Sequence, residues 1–158
     1  MPISVRRATQ DDAAELTRLR AVMMTAMGTD PSSLATEAWR AGTAAHFRER
    51  LADEERFAAF VAEASGRGLV ACAVGWLDRH LPSPTNPSGD IGYVANMSTE
   101  PEWRGQGCGR ATLTALLDWM RSRGVPRVDL HATEAGEPLY RSLGFTDPTL
   151  TLLSLRLR

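Results

Sequence analysis

The chain predicts an α/β fold in which helices cover both faces of a mixed sheet, and three observations predict it. Residues 57–64 and 69–77 are apolar runs joined by Ser65-Gly66-Arg67-Gly68, a tight turn, so they form an antiparallel hairpin. Residues 109–123 carry Leu113, Leu116, Leu117 and Met120 on one helical face and separate two strand-like segments. A strand, a crossover helix and a second strand require a parallel pair at that point. The full order, β-α-α-β-β-β-α-β-α-β, supplies enough amphipathic helices to bury a sheet from both sides.

Each element has its own signal. Residues 3–8 alternate apolar and polar, as a first strand does. Thr9-Gln10-Asp11-Asp12 starts a helix, with Thr9 as cap and acids in the first turn, and Leu16, Leu19, Val22 and Met23 form its apolar stripe. A second helical region spans 33–53, weakened by Gly42 and Thr43. After the hairpin, residues 81–89 have the proline, serine and glycine content of a loop, and 90–98 form the next strand. Gly124 stops the helix 109–123, whose last turn carries Arg121 and Arg123 at the negative end of the macrodipole. A short strand over 127–132 and a short helix over 137–143, closed by Gly144, follow. Residues 149–157 alternate leucine with polar residues and predict a final strand.

The whole chain narrows the class. Its 158 residues suit one domain, and 43% hydrophobic with 23% charged residues is the balance of an ordinary globular core. A formal net charge of −1 provides no field to recruit nucleic acid or an anionic membrane. No apolar run approaches a bilayer span, and residues 1–7 lack the apolar core of a signal peptide. Cys72 and Cys108 give neither a disulfide framework nor ligand spacing, and His46, His80 and His131 are scattered, so no metal site and a reduced, cytoplasmic location are expected. Both cysteines read as core residues. Arg18, Arg20, Arg48, Arg50, Glu54 and Glu55 read as solvated helix faces.

The chemistry concentrates in Glu102-Trp103-Arg104-Gly105-Gln106-Gly107-Cys108-Gly109-Arg110, which follows a strand and opens a helix. Alternating glycines leave the main chain uncovered, so peptide N–H groups can turn toward one anion. The helix adds its dipole and the unpaired N–H groups of its first turn. Arg104 and Arg110 bracket the loop and add charge-assisted donors. Such a loop receives a pyrophosphate. A Walker loop would end in Gly-Lys-Ser/Thr, which Cys108-Gly109-Arg110 does not supply, and a dinucleotide fingerprint would read Gly-x-Gly-x-x-Gly with a following acid.

Arg104-Gly105-Gln106-Gly107-Cys108-Gly109 instead resembles the Arg/Gln-x-x-Gly-x-Gly/Ala signature of the GCN5-related N-acetyltransferases (GNAT), and Leu139-Tyr140-Arg141-Ser142-Leu143-Gly144-Phe145 resembles their Leu-Tyr-x-x-x-Gly-Phe segment. The resemblance covers residues 90–145, and the element order of the remainder agrees with it. It implies one N-acetyltransferase domain over 1–158 with a mostly antiparallel sheet whose parallel strand pair splays to hold acetyl-CoA. It implies that Met97, Ser98 and Thr99 present main chain to the pantetheine arm and that Arg104, Gly105, Gln106, Gly107, Cys108, Gly109 and Arg110 hold the pyrophosphate. Thr133 and Gly136 stand where the family often has asparagine and alanine, and Thr133 remains a candidate cofactor contact. Tyr140 matches the tyrosine that often protonates the departing thiolate.

The expected reaction is direct attack of an amine on acetyl-CoA in a ternary complex. The main-chain N–H of Met97 is positioned in sequence to stabilise the oxyanion, while Asp78, Asp90 and Glu100 are the nearby carboxylates for the amine proton. The acceptor is a small-molecule or peptide amine, in a pocket expected from residues 23–47 and the loop 81–89, with Trp39, Trp76 and His131 as the side chains to watch. Two other readings stand beside this one: a non-catalytic acyl-CoA-binding module, and transfer of a longer acyl chain. By analogy with relatives of this fold, a homodimer is expected.

Overall fold

The structure is a computed structural model that describes residues 2–158; Met1, where the single-domain reading begins, lies outside the described residues. Five strands run β1 (Ile3–Arg7), β2 (Phe57–Ala64), β3 (Gly68–Arg79), β4 (Asp90–Thr99) and β5 (Val128–Leu130), and they lie in that same order across one sheet. Neighbours from β1 to β4 are antiparallel, and β4 with β5 is the parallel pair. The helices are α1 (Ala13–Ala26), α2 (Pro31–Leu34), α3 (Glu37–Leu51), α4 (Cys108–Ser122) and α5 (Glu137–Ser142).

The start of α1 follows from residues 9–12. The Thr9 N–H donates to Asp12 Oδ2 at 2.8 Å, and a single 3-10 turn over Gln10–Asp12 leads into the helix. The expected helical region 33–53 is two helices. Asp30 accepts from the Ser32 N–H at 2.9 Å ahead of Pro31 and opens α2. Thr36 Oγ1 accepts from the Trp39 N–H at 3.3 Å and opens α3. Two capping residues six apart make two starts, and helical periodicity alone does not register the break between them.

Strand alternation sorts the core into two faces. Phe57, Ala59, Val61, Cys72 and Val74 pack with Leu16 and Leu19 of α1 and Phe47 and Leu51 of α3. Ala58, Ala73, Leu77 and Val94 pack on the other side with Leu113, Leu116, Leu117 and Met120 of α4 and Tyr140 of α5. A third cluster of Val70, Ala71, Trp103 and Cys108 sits beneath the glycine-rich turn.

The final strand expected over 149–157 does not form: these residues carry no regular structure and are exposed. Alternation shows which side chains share a face, but a strand exists only against a ladder partner. The neighbouring edge strand, β5, is three residues long.

Candidate active site

The cleft arises from a bulge. Val74 of β3 pairs with Asn96 while Gly75 pairs with Val94, which leaves Ala95 of β4 unopposed. An extra residue bends its strand and raises the local twist. Pairing of β4 with β5 ends at the same point, with Gly92 opposite Val128, Tyr93 opposite Asp129 and Val94 opposite Leu130. Beyond it, residues 96–99 keep β3 on one side and lose β5 on the other. The parallel pair therefore opens into a wedge, as the splayed pair implied by the resemblance requires.

The far half of β4 is held from behind. Ser98 Oγ donates to the Leu19 carbonyl at 2.6 Å, and buried Asn96 accepts from Arg20 at 3.0 Å and donates to Cys72 Sγ at 3.5 Å. Those side chains face α1, so Met97 and Thr99 face α4. A methyl group placed on Gly109 would lie 3.6 Å from Leu139 Cδ2, 3.7 Å from Thr99 Oγ1 and 3.9 Å from Met97 Cε. The strand end, the first turn of α4 and the helix that carries Tyr140 thus meet at one point.

The turn ahead of α4 has the form an anion site needs. Gly107 precedes the helix at φ 85°, Gly105 lies at φ 73°, and nothing stands within 4 Å of where a side chain would start on either. No side chain caps Gly107, so the first-turn N–H groups of this 15-residue helix keep their donors open. Arg104 Nε donates to the Thr99 carbonyl at 3.2 Å and ties the turn to the strand end; Arg110 donates to Ser142 Oγ at 2.6 Å and ties α4 to α5. Gln106 Nε2 donates to the Glu102 carbonyl at 3.1 Å. Cys108 points inward among Trp103, Val70 and Ala71, and burial pushes its thiol up, so it packs rather than attacks. The residues present fit a diphosphate: open donors, no side chain in the way, and two guanidinium groups at the rim.

Tyr140 is buried, its ring edge-on to Phe145 with centroids 6.0 Å apart, and burial holds its phenol above the usual tyrosine value. Gly136 gives it room, since a methyl there would stand 3.0 Å from Tyr140 Cε2 and 3.3 Å from its hydroxyl. Thr133 Oγ1 accepts from the Gly136 N–H at 3.2 Å and braces the turn into α5.

The carboxylates are committed elsewhere. Asp90 sits at the far end of β4 from the wedge and takes two bonds from Arg56 at 3.2 and 3.0 Å, which hold its carboxyl below the usual range. Glu100 pairs with Arg18, and Asp78 accepts from Trp76 Nε1 at 2.7 Å. The loop 81–89, expected at the acceptor pocket, lies at the end of β4 opposite the wedge. Asn86 bonds the Asp90 carbonyl at 3.0 Å, and the loop faces Pro126 and Arg127 across the closed end of the β4–β5 pair.

Three residues read as solvated face charges have partners. Arg18 bridges Glu15, Glu100 and the Leu69 carbonyl, Arg20 reaches Asn96, and Arg50 lies 4.9 Å from the ring centres of both Phe57 and Trp76. Tyr93 went unnoticed in the sequence. It continues a row of rings across the α1/α3 face: Phe57 to Trp76 at 6.2 Å, Trp76 to Tyr93 at 5.4 Å, and Tyr93 to His131 at 5.9 Å. Tyr93 Oη and His131 Nδ1 are 2.7 Å apart, beside the crotch where β4 and β5 part. The sequence signal for Arg20 was its place four residues after Leu16, beside the buried stripe. Tyr93 had no such signal, because the bulge that sets its register is invisible in the pattern. Among the described residues, no group of three His, Cys, Asp or Glu side chains gathers as metal ligands would, and no helix is long and apolar enough to cross a membrane.

Comparison with known proteins agrees with this geometry. The sequence profile of the acetyltransferase (GNAT) family matches residues 22–145, and the chain belongs to that family. A mycothiol acetyltransferase of Thermobifida fusca is 37% identical over 97 residues, 59% of this chain and 29% of the relative. An alanine N-acetyltransferase of ribosomal protein bS18 from Escherichia coli is 38% identical over 64 residues, 39% of this chain and 43% of the relative. The chain thus spans less than half the length of these curated relatives. The crystal structure of a predicted acetyltransferase with acetyl-CoA from Clostridium acetobutylicum superposes with a TM-score of 0.85 at 27% identity, over 99% of this chain and 97% of that one.

Proposed function

We propose that this chain transfers an acetyl group from acetyl-CoA to an amine. The observation that carries the reading is the meeting of three elements at Gly109: the freed end of β4, the open first turn of α4 and the helix bearing Tyr140. Family membership and the likeness to a structure with acetyl-CoA support it.

In this reading the amides of residues 104–110 bind the diphosphate, with Arg104 and Arg110 at its rim. The main chain of Met97, Ser98 and Thr99 orients the pantetheine arm, and Thr133 closes the opposite side. Acetyl-CoA supplies an activated acetyl thioester when bound. The Met97 N–H donates to the oxygen that gains charge during attack. Tyr140 keeps its proton at neutral pH and gives it to the departing sulfur. Holding both reactants in one cleft supplies much of the remaining acceleration.

The amine proton has a receiver in the Tyr93–His131 pair. With its proton on Nδ1, His131 donates to Tyr93 Oη and leaves Nε2 with a lone pair. Burial, with the charge of Asp78, holds Tyr93 as a neutral phenol. The ring row Trp76, Tyr93 and His131 is then the wall against which a small-molecule or peptide amine lies. The names of the relatives, a mycothiol acetyltransferase and an alanine N-acetyltransferase of a ribosomal protein, point to one acceptor of each class.

The test is release of free thiol from acetyl-CoA against a panel of sugar, aminoglycoside and peptide amines. Amine-dependent release is expected. Tight cofactor binding with no release on any amine would establish the acyl-CoA-binding module instead, and faster release from longer acyl-CoA thioesters would reassign the donor.

A further inference from the structure

A guanidinium group taken partly out of water keeps donors that something must satisfy. Three half-buried arginines meet oxygen. Arg6 reaches Asp12 and Glu63, Arg56 reaches Asp90 and the Leu77 carbonyl, and Arg7 reaches the carbonyls of Glu54 and Phe57. Arg20 of α1 and Arg50 of α3, also half-buried, are met differently. Arg20 gives one nitrogen to the Asn96 amide oxygen, and Arg50 lies against the rings of Phe57 and Trp76. A ring face takes the plane of a guanidinium and leaves its rim of N–H groups free. Neither arginine stands in an ion pair among the described residues.

The two share one face of the sheet. Val74 and Trp76 both pack toward α1 and α3 and are two residues apart on β3, about 7 Å along the strand. Asn96, which holds Arg20, stands opposite Val74, and Trp76 carries Arg50. The carboxylates nearby are engaged elsewhere. Asp78 accepts from Trp76 Nε1 at 2.7 Å, and Asp129, opposite Tyr93, pairs with Arg127. Two guanidinium groups without a protein counter-charge therefore flank the ring wall.

That wall leads to the reacting point of the proposed acetyl transfer, on which this inference rests. Trp76 to Tyr93 and Tyr93 to His131 are steps of 5.4 and 5.9 Å, and His131 is the proposed receiver of the amine proton. An acceptor with its amine at His131 and its far end at Trp76 spans both steps. Its amine and its far group are then several bonds apart. A guanidinium fork takes two oxygens of a planar or tetrahedral anion at once.

We propose that the acceptor amine carries an anionic group, a carboxylate or a phosphate, and that Arg20 and Arg50 hold that group while the rings of Trp76 and Tyr93 carry the connecting atoms to His131. The arginines act on the choice of acceptor and not on the cofactor, whose diphosphate belongs to the turn ahead of α4.

With CoA in place of acetyl-CoA no acetyl can move, so calorimetric titration of an amine into the CoA-saturated chain reads acceptor binding alone. Two pairs of amines differ by one charge: glucosamine 6-phosphate with glucosamine, and trialanine with its amide. The charged member of at least one pair is expected to bind roughly ten- to a hundredfold more tightly. A ratio in the sugar pair assigns phosphate, and one in the peptide pair assigns carboxylate. Arg50→Gln is expected to remove most of the ratio, and Arg50→Lys, which keeps the charge without the fork, to retain part of it. Pairs that bind alike would overturn the proposal, as would charged members that do not bind. So would a ratio that either variant leaves unaltered. Thiol release from acetyl-CoA at equal rates on both members of each pair would keep acetyl transfer and strike this inference. Anion-selective binding with no release on any amine would keep the site and strike the transfer.

Discussion

At the scale of single residues, the proposed function gives Gly107 and Tyr140 different parts of the chemistry. Gly107 combines a left-handed backbone with open space, so its substitution acts through conformation and anion approach rather than through packing. Gly107→Val is expected to weaken CoA binding at least about tenfold, ~1.4 kcal/mol, in a calorimetric titration. Tyr140→Phe is expected to lower kcat about 100-fold while the KM for acetyl-CoA changes little. Because burial raises the Tyr140 pKa, its proton persists above the range of an ordinary tyrosine. The alkaline limb of kcat should lie there in the native enzyme and vanish in the variant. His131→Gln is expected to reduce kcat about 100-fold at unchanged acetyl-CoA binding; equal turnover would remove His131 from the proton path. Glycines and tyrosine were legible because their chemistry is local to a short motif. The Tyr93–His131 pair was not, since two residues 38 apart in sequence are joined by a sheet register that the pattern does not encode.

At the scale of elements, the bulge at Ala95 does the positioning. It bends β4 where pairing with β5 ends, and Ser98, Asn96 and Arg20 hold the bent half against α1. Hairpin, crossover and α4 could all be read from spacing and turn residues, because each is a local pattern with its own punctuation. The break between α2 and α3 depends on Thr36 acting as a cap within a continuous helical periodicity. Thr36→Ala removes an acceptor from the Trp39 N–H and is expected to cost about 1 kcal/mol, read as a lower denaturation midpoint at unchanged slope. Residues 149–157 have the alternation of a strand but no ladder partner among the described residues, so the pattern alone does not make a strand.

At the scale of the molecule, ion pairs link segments far apart in sequence and set the response to acid. Arg6 joins Asp12 and Glu63 across the β1–β2 edge, and Arg56 joins Asp90 across the end of the sheet. Arg6 holds both its partners, and Arg56 holds Asp90, below their usual carboxylate values. A depressed folded value means that these pairs contribute fully above the unfolded value and lose their contribution as pH falls through the folded one. Thermal midpoints are therefore expected to hold level down to about pH 5 and fall steadily below about pH 4. Asp90→Asn should lower the midpoint at neutral pH and make the acid decline shallower. A decline of unchanged steepness would show that this pair is not among its causes.

In the proposed function, peptide N–H groups between Arg104 and Arg110 grip the diphosphate of CoA. Amide nitrogen and proton shifts of residues 105–110 during titration with CoA report that grip. Large, saturating downfield shifts at Gly107, Cys108 and Gly109 are expected, lost when the pantetheine fragment without phosphates is titrated instead. Saturable CoA binding that leaves these amides unmoved would place the diphosphate elsewhere.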